Sequence, residues 1–144
     1  MFRKIRSPIN EVILMSDEKY YIVRGAKMVC NKGSNERHIN LPNSHGSYAT
    51  EKPMMNKKDN VVGKNIKYFG VCSGDCPAGD GDVAVIDMNG NNAIGKKCQV
   101  EILKEWMKAK EETLVRGEAA LTTDSYLVCK YGGKITFVTT GQEE

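Results

Sequence analysis

Two of the five cysteines lie in the same local pattern near opposite ends of the chain. Cys30 and Cys129 each follow an apolar run that ends in Val, and a glycine, Gly33 or Gly132, comes three positions later. The glycine lets the backbone turn tightly, so that the thiol before it can point towards a shared centre. Such a turn commonly presents a metal-binding thiolate. The spacing leaves a second interpretation open, in which two buried cysteines end strands and ordinary turns follow them.

The other three cysteines supply thiols between these two turns. Cys72 and Cys76 are four positions apart in a loop rich in Gly, Asp and Pro, and Cys98 follows a short basic segment. A pair at that spacing can bind one metal ion, although the spacing is looser than in the strongest zinc motifs. A thiol redox enzyme is a rival interpretation of this pair, but it would require a Cys-x-x-Cys motif at the start of a helix.

Other candidate ligands are weaker. His45 lies beside Gly46, where it is either a metal ligand or simply a turn residue. The segment from Gly79 to Asp82 resembles part of a calcium loop, but it lacks the terminal bidentate Glu, which favours an exposed turn. We find no nucleophile elbow, phosphate-binding loop or clear acid–base pair, and therefore expect no enzymatic activity.

Composition and charge restrict the class of protein. A chain of 144 residues suggests one domain with a real core. Residues 1–70 carry 13 Lys and Arg against 6 Asp and Glu, a net charge of +7, whereas residues 71–144 carry 8 against 12, a net charge of −4. This polarity could orient the protein on a partner. It provides neither the basic face nor the paired Cys-x-x-Cys knuckles of a zinc ribbon that binds nucleic acid.

The sequence also predicts where the thiols are made. No apolar run is long enough for a transmembrane helix, and the N-terminus lacks the apolar segment and cleavage site of a signal peptide. We therefore expect synthesis in a reducing cytoplasm, where metal ligation by cysteine is favoured over disulfides.

The predicted elements are mainly β. Strand-forming segments occupy residues 20–29, 66–72, 83–88 and 126–138, and the many glycines are typical of a turn-rich β protein. The exception is a helix predicted over residues 100–112, whose Trp106 and Met107 would face the core. Residues 1–18 are predicted to be an N-terminal extension, which is either a docking segment or a frayed tail or extra edge strand.

An ordered set of short motifs resembles the PAAR-like family of spike-tip proteins, which occur in type VI secretion and related contractile injection systems. The resemblance covers about residues 20–142. The motifs include Leu41-Pro42-x-Ser44-His45-Gly46, Lys52-Pro53-Met54, Phe69-Gly70-x-Cys72, Gly117-x-Ala119-Ala120-Leu121 and the closing Leu127-x-Cys129-x-x-Gly132-Gly133-x-Ile135, followed by Gly141-Gln142.

The resemblance implies a fold and a role. The fold would be a small cone-like β domain over residues 19–144, stapled by a metal. Its base would sit on a trimeric valine-glycine-repeat spike protein, with one tip per trimer, and its point would help the spike pierce a target membrane. The protein would be made in the bacterial cytoplasm and delivered by the injection apparatus, carrying effectors that could dock on the N-terminal extension.

The resemblance also implies the metal ligands. In better-known PAAR proteins histidines hold most of the metal, but here the histidines are too few and cysteines would replace them. The four cysteines that match the family pattern are Cys30, Cys72, Cys98 and Cys129, and the expected ion is Zn²⁺. Cys76 falls outside the pattern, so it is a spare thiol or a replacement ligand. A cysteine-rich zinc-binding adaptor that acts outside a spike is the alternative function.

Overall fold

The computed structural model describes residues 19–79 and 81–143, and this part of the chain is built from short β-strands without a helix. The mainly β prediction is therefore confirmed. The predicted N-terminal extension lies outside these residues and stays a prediction. The strands are β1 Lys27–Cys30, β2 Arg37–His38, β3 Tyr48–Ala49, β4 Lys52–Pro53, β5 Asp82–Ile86, β6 Asn92–Lys96, β7 Lys110–Val115, β8 Glu118–Ala120, β9 Tyr126–Val128 and β10 Lys134–Phe137.

One antiparallel sheet joins the two ends of the described chain. Its strand order is β2-β1-β10-β9, and Cys30 of β1 lies opposite Ile135 of β10. Alternate residues point into the core, as expected for strands with one covered face: Met28 and Cys30 are buried on β1, and Ile135 and Phe137 on β10. The expectation that the two Cys-x-x-Gly segments are brought together is confirmed by this pairing.

Three two-stranded hairpins complete the described sheets: β3–β4, β5–β6 and β7–β8. Arg116 and Gly117 connect β7 to β8 with φ of 51° and 81°, as in the two-residue turn that matches the twist of a hairpin. Thr50 and Glu51 make the same kind of connection between β3 and β4, with φ of 53° and 64°. The second turn lacks glycine, so its left-handed backbone carries a steric cost.

The predicted helix over residues 100–112 is wrong. The segment runs in an extended, irregular path beside β9 and the turn after it, where Ile102 pairs with Cys129 and Met107 pairs with Tyr126. Backbone groups that a helix would pair internally instead bond across to these neighbours; the Met107 N–H donates to the Tyr126 carbonyl at 2.8 Å. The end of the segment, from Lys110, is already part of β7.

Trp106 is the residue that anchors this segment. It is 2% exposed and stacks on Phe137, with ring centroids 4.7 Å apart. Its indole N–H donates to the Asp59 carbonyl at 2.9 Å. The prediction that Trp106 packs in the core is confirmed, but Met107 is 41% exposed and does not share that face.

Candidate metal centre

All five cysteines line one small cavity. The cavity measures about 10 Å³, which is close to the space of a single water molecule. Each cysteine is buried and none forms a disulfide. Apolar or glycine positions surround the sulfur atoms, among them Phe69, Val100 and Gly133.

The two Cys-x-x-Gly turns have the same backbone closure. The Gly33 N–H donates to the Cys30 carbonyl at 2.9 Å, and the Gly132 N–H donates to the Cys129 carbonyl at 3.0 Å. The two glycines are needed for different reasons. Gly132 has a left-handed φ of 94°, whereas a Cβ on Gly33 would lie 2.5 Å from the Cβ of Phe69.

Cys72 and Cys98 reach the cavity from two neighbouring segments. The Cys72 N–H donates to the Lys96 carbonyl and the Cys98 N–H to the Gly70 carbonyl, both at 2.8 Å. An antiparallel bridge between Gly33 and Cys72 places the first Cys-x-x-Gly turn beside them. Backbone pairing therefore assembles thiols that are distant in sequence.

Two of the thiols accept a hydrogen bond from a backbone N–H. The donor to Cys72 is Gly74, two positions further on, and the donor to Cys76 is Gln99 across the chain; the nitrogen–sulfur distance is 3.3 Å in both. A hydrogen bond of this kind favours the thiolate over the thiol and so suits metal ligation.

The pKa of each thiol follows from burial and from these partners. Burial raises the pKa of Cys30 and of Cys98, and the negative charge of neighbouring thiolates raises both further. The pKa of Cys76 is raised to about 12. Burial is the larger cause, and the hydrogen bond that Cys76 shares with Cys72 is the next. Burial opposes ionisation of Cys72 as well, but hydrogen bonds from the Cys76 thiol and from the Gly74 N–H lower its pKa overall. A cation that binds here must therefore displace protons from most of the thiols.

The chain matches a known family model over most of its length. Residues 22–142 match the family model described as a domain of unknown function, DUF4280. The chain belongs to the DUF4280 family. No curated protein and no solved structure matches it.

The four cysteines selected through the PAAR-like resemblance, Cys30, Cys72, Cys98 and Cys129, all line the cavity. The sequence left Cys76 as either a spare thiol or a replacement ligand, and the structure places it, 3% exposed, in the same cavity. The signal that pointed to Cys76 was its position in the same loop as Cys72. Spacing alone could not show that this loop folds back to bring both thiols inward.

His45 lies in a different environment. Its Nε2 is 3.0 Å from both carboxylate oxygens of Asp59, and it is not among the residues that line the thiol cavity. Asp59 is buried and also accepts the backbone N–H of Asn56 at 2.7 Å. His45 is therefore joined through Asp59 to Trp106, whose indole N–H donates to the Asp59 carbonyl. Of the calcium-like segment, Asp80 lies outside the described residues and Asp82 begins β5.

The five thiols line the same cavity, but the described side chains are not arranged as the ligands of a metal ion. Among residues 19–79 and 81–143, no three His, Cys, Asp or Glu side chains are positioned so that they could hold a metal ion. In the described rotamers, therefore, no three of the five cysteines are arranged as ligands of one ion. Each Cys side chain has a single torsion that moves its sulfur. The chemistry of the donor set, five buried thiols of which two accept a backbone N–H, fits a soft or borderline cation such as Zn²⁺.

Proposed function

We propose that this DUF4280 protein is a non-enzymatic, metal-stabilised tip for the trimeric spike of a type VI secretion or related contractile injection system. The ordered motifs over residues 20–142 support this proposal through their resemblance to PAAR-like tips. The observation that carries it is the single cavity in which thiols from both ends of the domain meet. That is the arrangement expected of a small β domain closed by a metal.

Four of the thiols would hold the ion: Cys30, Cys72, Cys98 and Cys129. Zn²⁺ bound by four thiolates has no open position for a substrate, so such a site is structural. Its contribution is folding free energy, because the unfolded chain does not preform the site. The cavity lies where β1, the 70–76 segment, the 96–100 segment and the turn after β9 meet. Closing the thiols on an ion would therefore fasten four separate parts of the chain.

The described strands also suit a capping role. A monomeric tip on a three-fold spike must offer three similar surfaces to three identical subunits. Short strands and hairpins with exposed backbone edges can extend the strands of a partner, so that main-chain hydrogen bonds provide much of the affinity. The effector or accessory partner of the N-terminal extension stays part of this proposal, as does transient contact with a target membrane. The proposal includes no nucleic-acid partner.

Co-purification with the cognate spike protein tests the proposed function. The tagged chain should retain the trimeric valine-glycine-repeat spike, and a spike truncated at the end on which the tip would sit should serve as the matched control. Retention of the intact spike and loss of the truncated one supports a tip. Equal retention of both, or of neither, contradicts it and favours a zinc-binding adaptor that acts elsewhere.

A further inference from the structure

The loop of residues 72–76, which carries two of the thiols, is held by hydrogen bonds at three successive residues. The partners of these hydrogen bonds share one feature, because each lies two positions from another cysteine of the cavity. The partners are Lys32, Lys96 and Tyr131, which lie near Cys30, Cys98 and Cys129 respectively. The loop is therefore fastened to every other segment that carries a thiol.

Two of the three anchors are main-chain carbonyl groups. The Ser73 N–H donates to the Lys32 carbonyl at 2.8 Å, and the Asp75 N–H donates to the Tyr131 carbonyl at 3.1 Å. Every residue type has a carbonyl group, so these two hydrogen bonds do not depend on which side chain stands at position 32 or 131.

The third anchor is a side chain. The Lys96 ammonium group donates to the Gly74 carbonyl at 3.0 Å, and a hydrogen bond from a charged donor is stronger than a neutral one. This carbonyl and the Asp75 N–H belong to the same peptide group, which is thus held by Lys96 on one side and by Tyr131 on the other. The Gly74 N–H, in the preceding peptide group, donates to the Cys72 sulfur at 3.3 Å. Lys96 therefore fixes the backbone next to the amide that orients a thiol.

The charge of Lys96 suits this place. Lys96 is half-buried, and among residues 19–79 and 81–143 no carboxylate forms a salt bridge with its ammonium group. Zn²⁺ with four thiolates carries a net negative charge, so a cation that contacts the loop of two thiols also stabilises the loaded site. The next residue differs, because Lys97 is exposed and its ammonium group lies 4.8 Å from the centroid of the Tyr68 ring.

We propose that Lys96 is a positioning residue of the metal site, whose ammonium group holds the 72–76 loop against the Cys98 segment in the arrangement that binds the ion. This inference rests on the proposed metal-stabilised function and assigns to it a residue outside the ligand set. Without the ammonium group the loop keeps its main-chain anchors but loses the anchor that a side chain provides. The Cys72 sulfur is then held less firmly for the ion.

The zinc affinity of full-length variants tests the positioning role. Lys96→Met keeps the aliphatic stem and removes the ammonium group, so it should weaken zinc binding about 10–100-fold, the usual effect of losing a supporting partner outside the ligand set. Lys96→Arg keeps a charged donor and should restore most of the affinity. Lys97→Met is the matched control and should bind zinc as the wild type does. Competition with a chromophoric chelator would measure the affinities.

Melting temperatures with and without zinc separate positioning from general support of the fold. We expect metal-stripped Lys96→Met and metal-stripped wild type to melt at similar temperatures, and zinc to raise the melting temperature less in the variant. Unchanged zinc affinity in Lys96→Met overturns the inference, as does an equal loss in Lys97→Met or no recovery in Lys96→Arg. In each of these outcomes wild-type protein still binds zinc and the proposed function stands. Wild-type protein that binds no zinc would instead overturn the metal in the proposed function, and this inference with it.

Discussion

At the scale of single residues, backbone amides orient two of the five sulfur atoms. The Cys72 sulfur accepts the N–H of Gly74 and the Cys76 sulfur accepts the N–H of Gln99, both at 3.3 Å. Beside the five cysteines, the cavity is lined by Phe69, Val100, two glycines, Lys32 and Tyr131. Binding a cation there depends on local backbone geometry more than on a network of polar side chains.

The adjacent glycines 132 and 133 allow a residue-scale test. A Cβ on Gly133 would lie 2.6 Å from the Cys30 sulfur, so Gly133→Ala should rotate that thiol away and reduce zinc content. Gly132→Ala is the matched control, because its left-handed backbone should cost about 1–2 kcal/mol without a clash at the thiols. Melting temperature and zinc content would be measured for both. Equal zinc content in the two variants would show that Cys30 is not a ligand.

The sequence predicted a large part of the candidate site. The Cys-x-x-Gly pattern identified both turns, because glycine is required at Gly132 by its backbone and at Gly33 by its contact with Phe69. The sequence left open whether Cys76 is a spare thiol or a replacement ligand. Its place at the cavity depends on long-range backbone contacts, such as that of Asp75 with Tyr131, which leave no pattern in the sequence.

At the scale of elements, residues 100–109 behave as an edge segment rather than a helix. Apolar residues at 102, 103, 106 and 107 fit the period of a helix, which explains the wrong prediction. The structure instead buries Trp106 and exposes Leu103, which is 64% accessible. Tertiary pairing with Cys129 and Tyr126 determines the conformation, and that pairing is not visible in a local window. The β3–β4 turn is likewise not predicted by the local sequence, because Thr50 and Glu51 stand where this kind of turn favours Asn or Gly.

Substitutions of Trp106 and Leu103 test whether residues 100–109 follow an extended path. A helix would place both residues on one face, but the observed path predicts very different costs. Trp106→Ala should cost about 3–5 kcal/mol because it removes a buried stacked ring. Leu103→Ala should stay within about 0.5 kcal/mol because the side chain is exposed. Denaturant unfolding would measure both, and Trp106→Phe provides a milder variant that keeps the stacking on Phe137. Similar costs at 103 and 106 would contradict the extended path.

At the scale of the whole molecule, the described part of the chain consists of one four-stranded sheet and three two-stranded hairpins, all with short strands. The β1–β10 pairing joins its ends, and the thiol cavity lies at the end of β1 and just before β10, where Cys30 and Gly133 line it. Structural zinc sites contribute on the order of 10 kcal/mol to the folding of small peptides, so an ion here would matter for overall stability. Removing it should loosen the sheet and the hairpins that depend on it together.

Chelation tests that dependence. Protein stripped of metal under reducing conditions should melt at a clearly lower temperature than untreated protein. Adding Zn²⁺ should restore the melting temperature, whereas Mg²⁺ should not, because it prefers oxygen ligands. Calorimetry with matched buffers would make the comparison. Stripped protein that melts at the same temperature as untreated protein would rule out a structural metal.

The stoichiometry of the complex with the spike tests the central claim most directly. Light scattering coupled to gel filtration would give the mass of the chain mixed with its cognate valine-glycine-repeat spike protein. The account predicts one chain for each spike trimer, because a single tip must cap a three-fold axis. A complex with three chains per trimer, or no complex with the cognate spike, would contradict it.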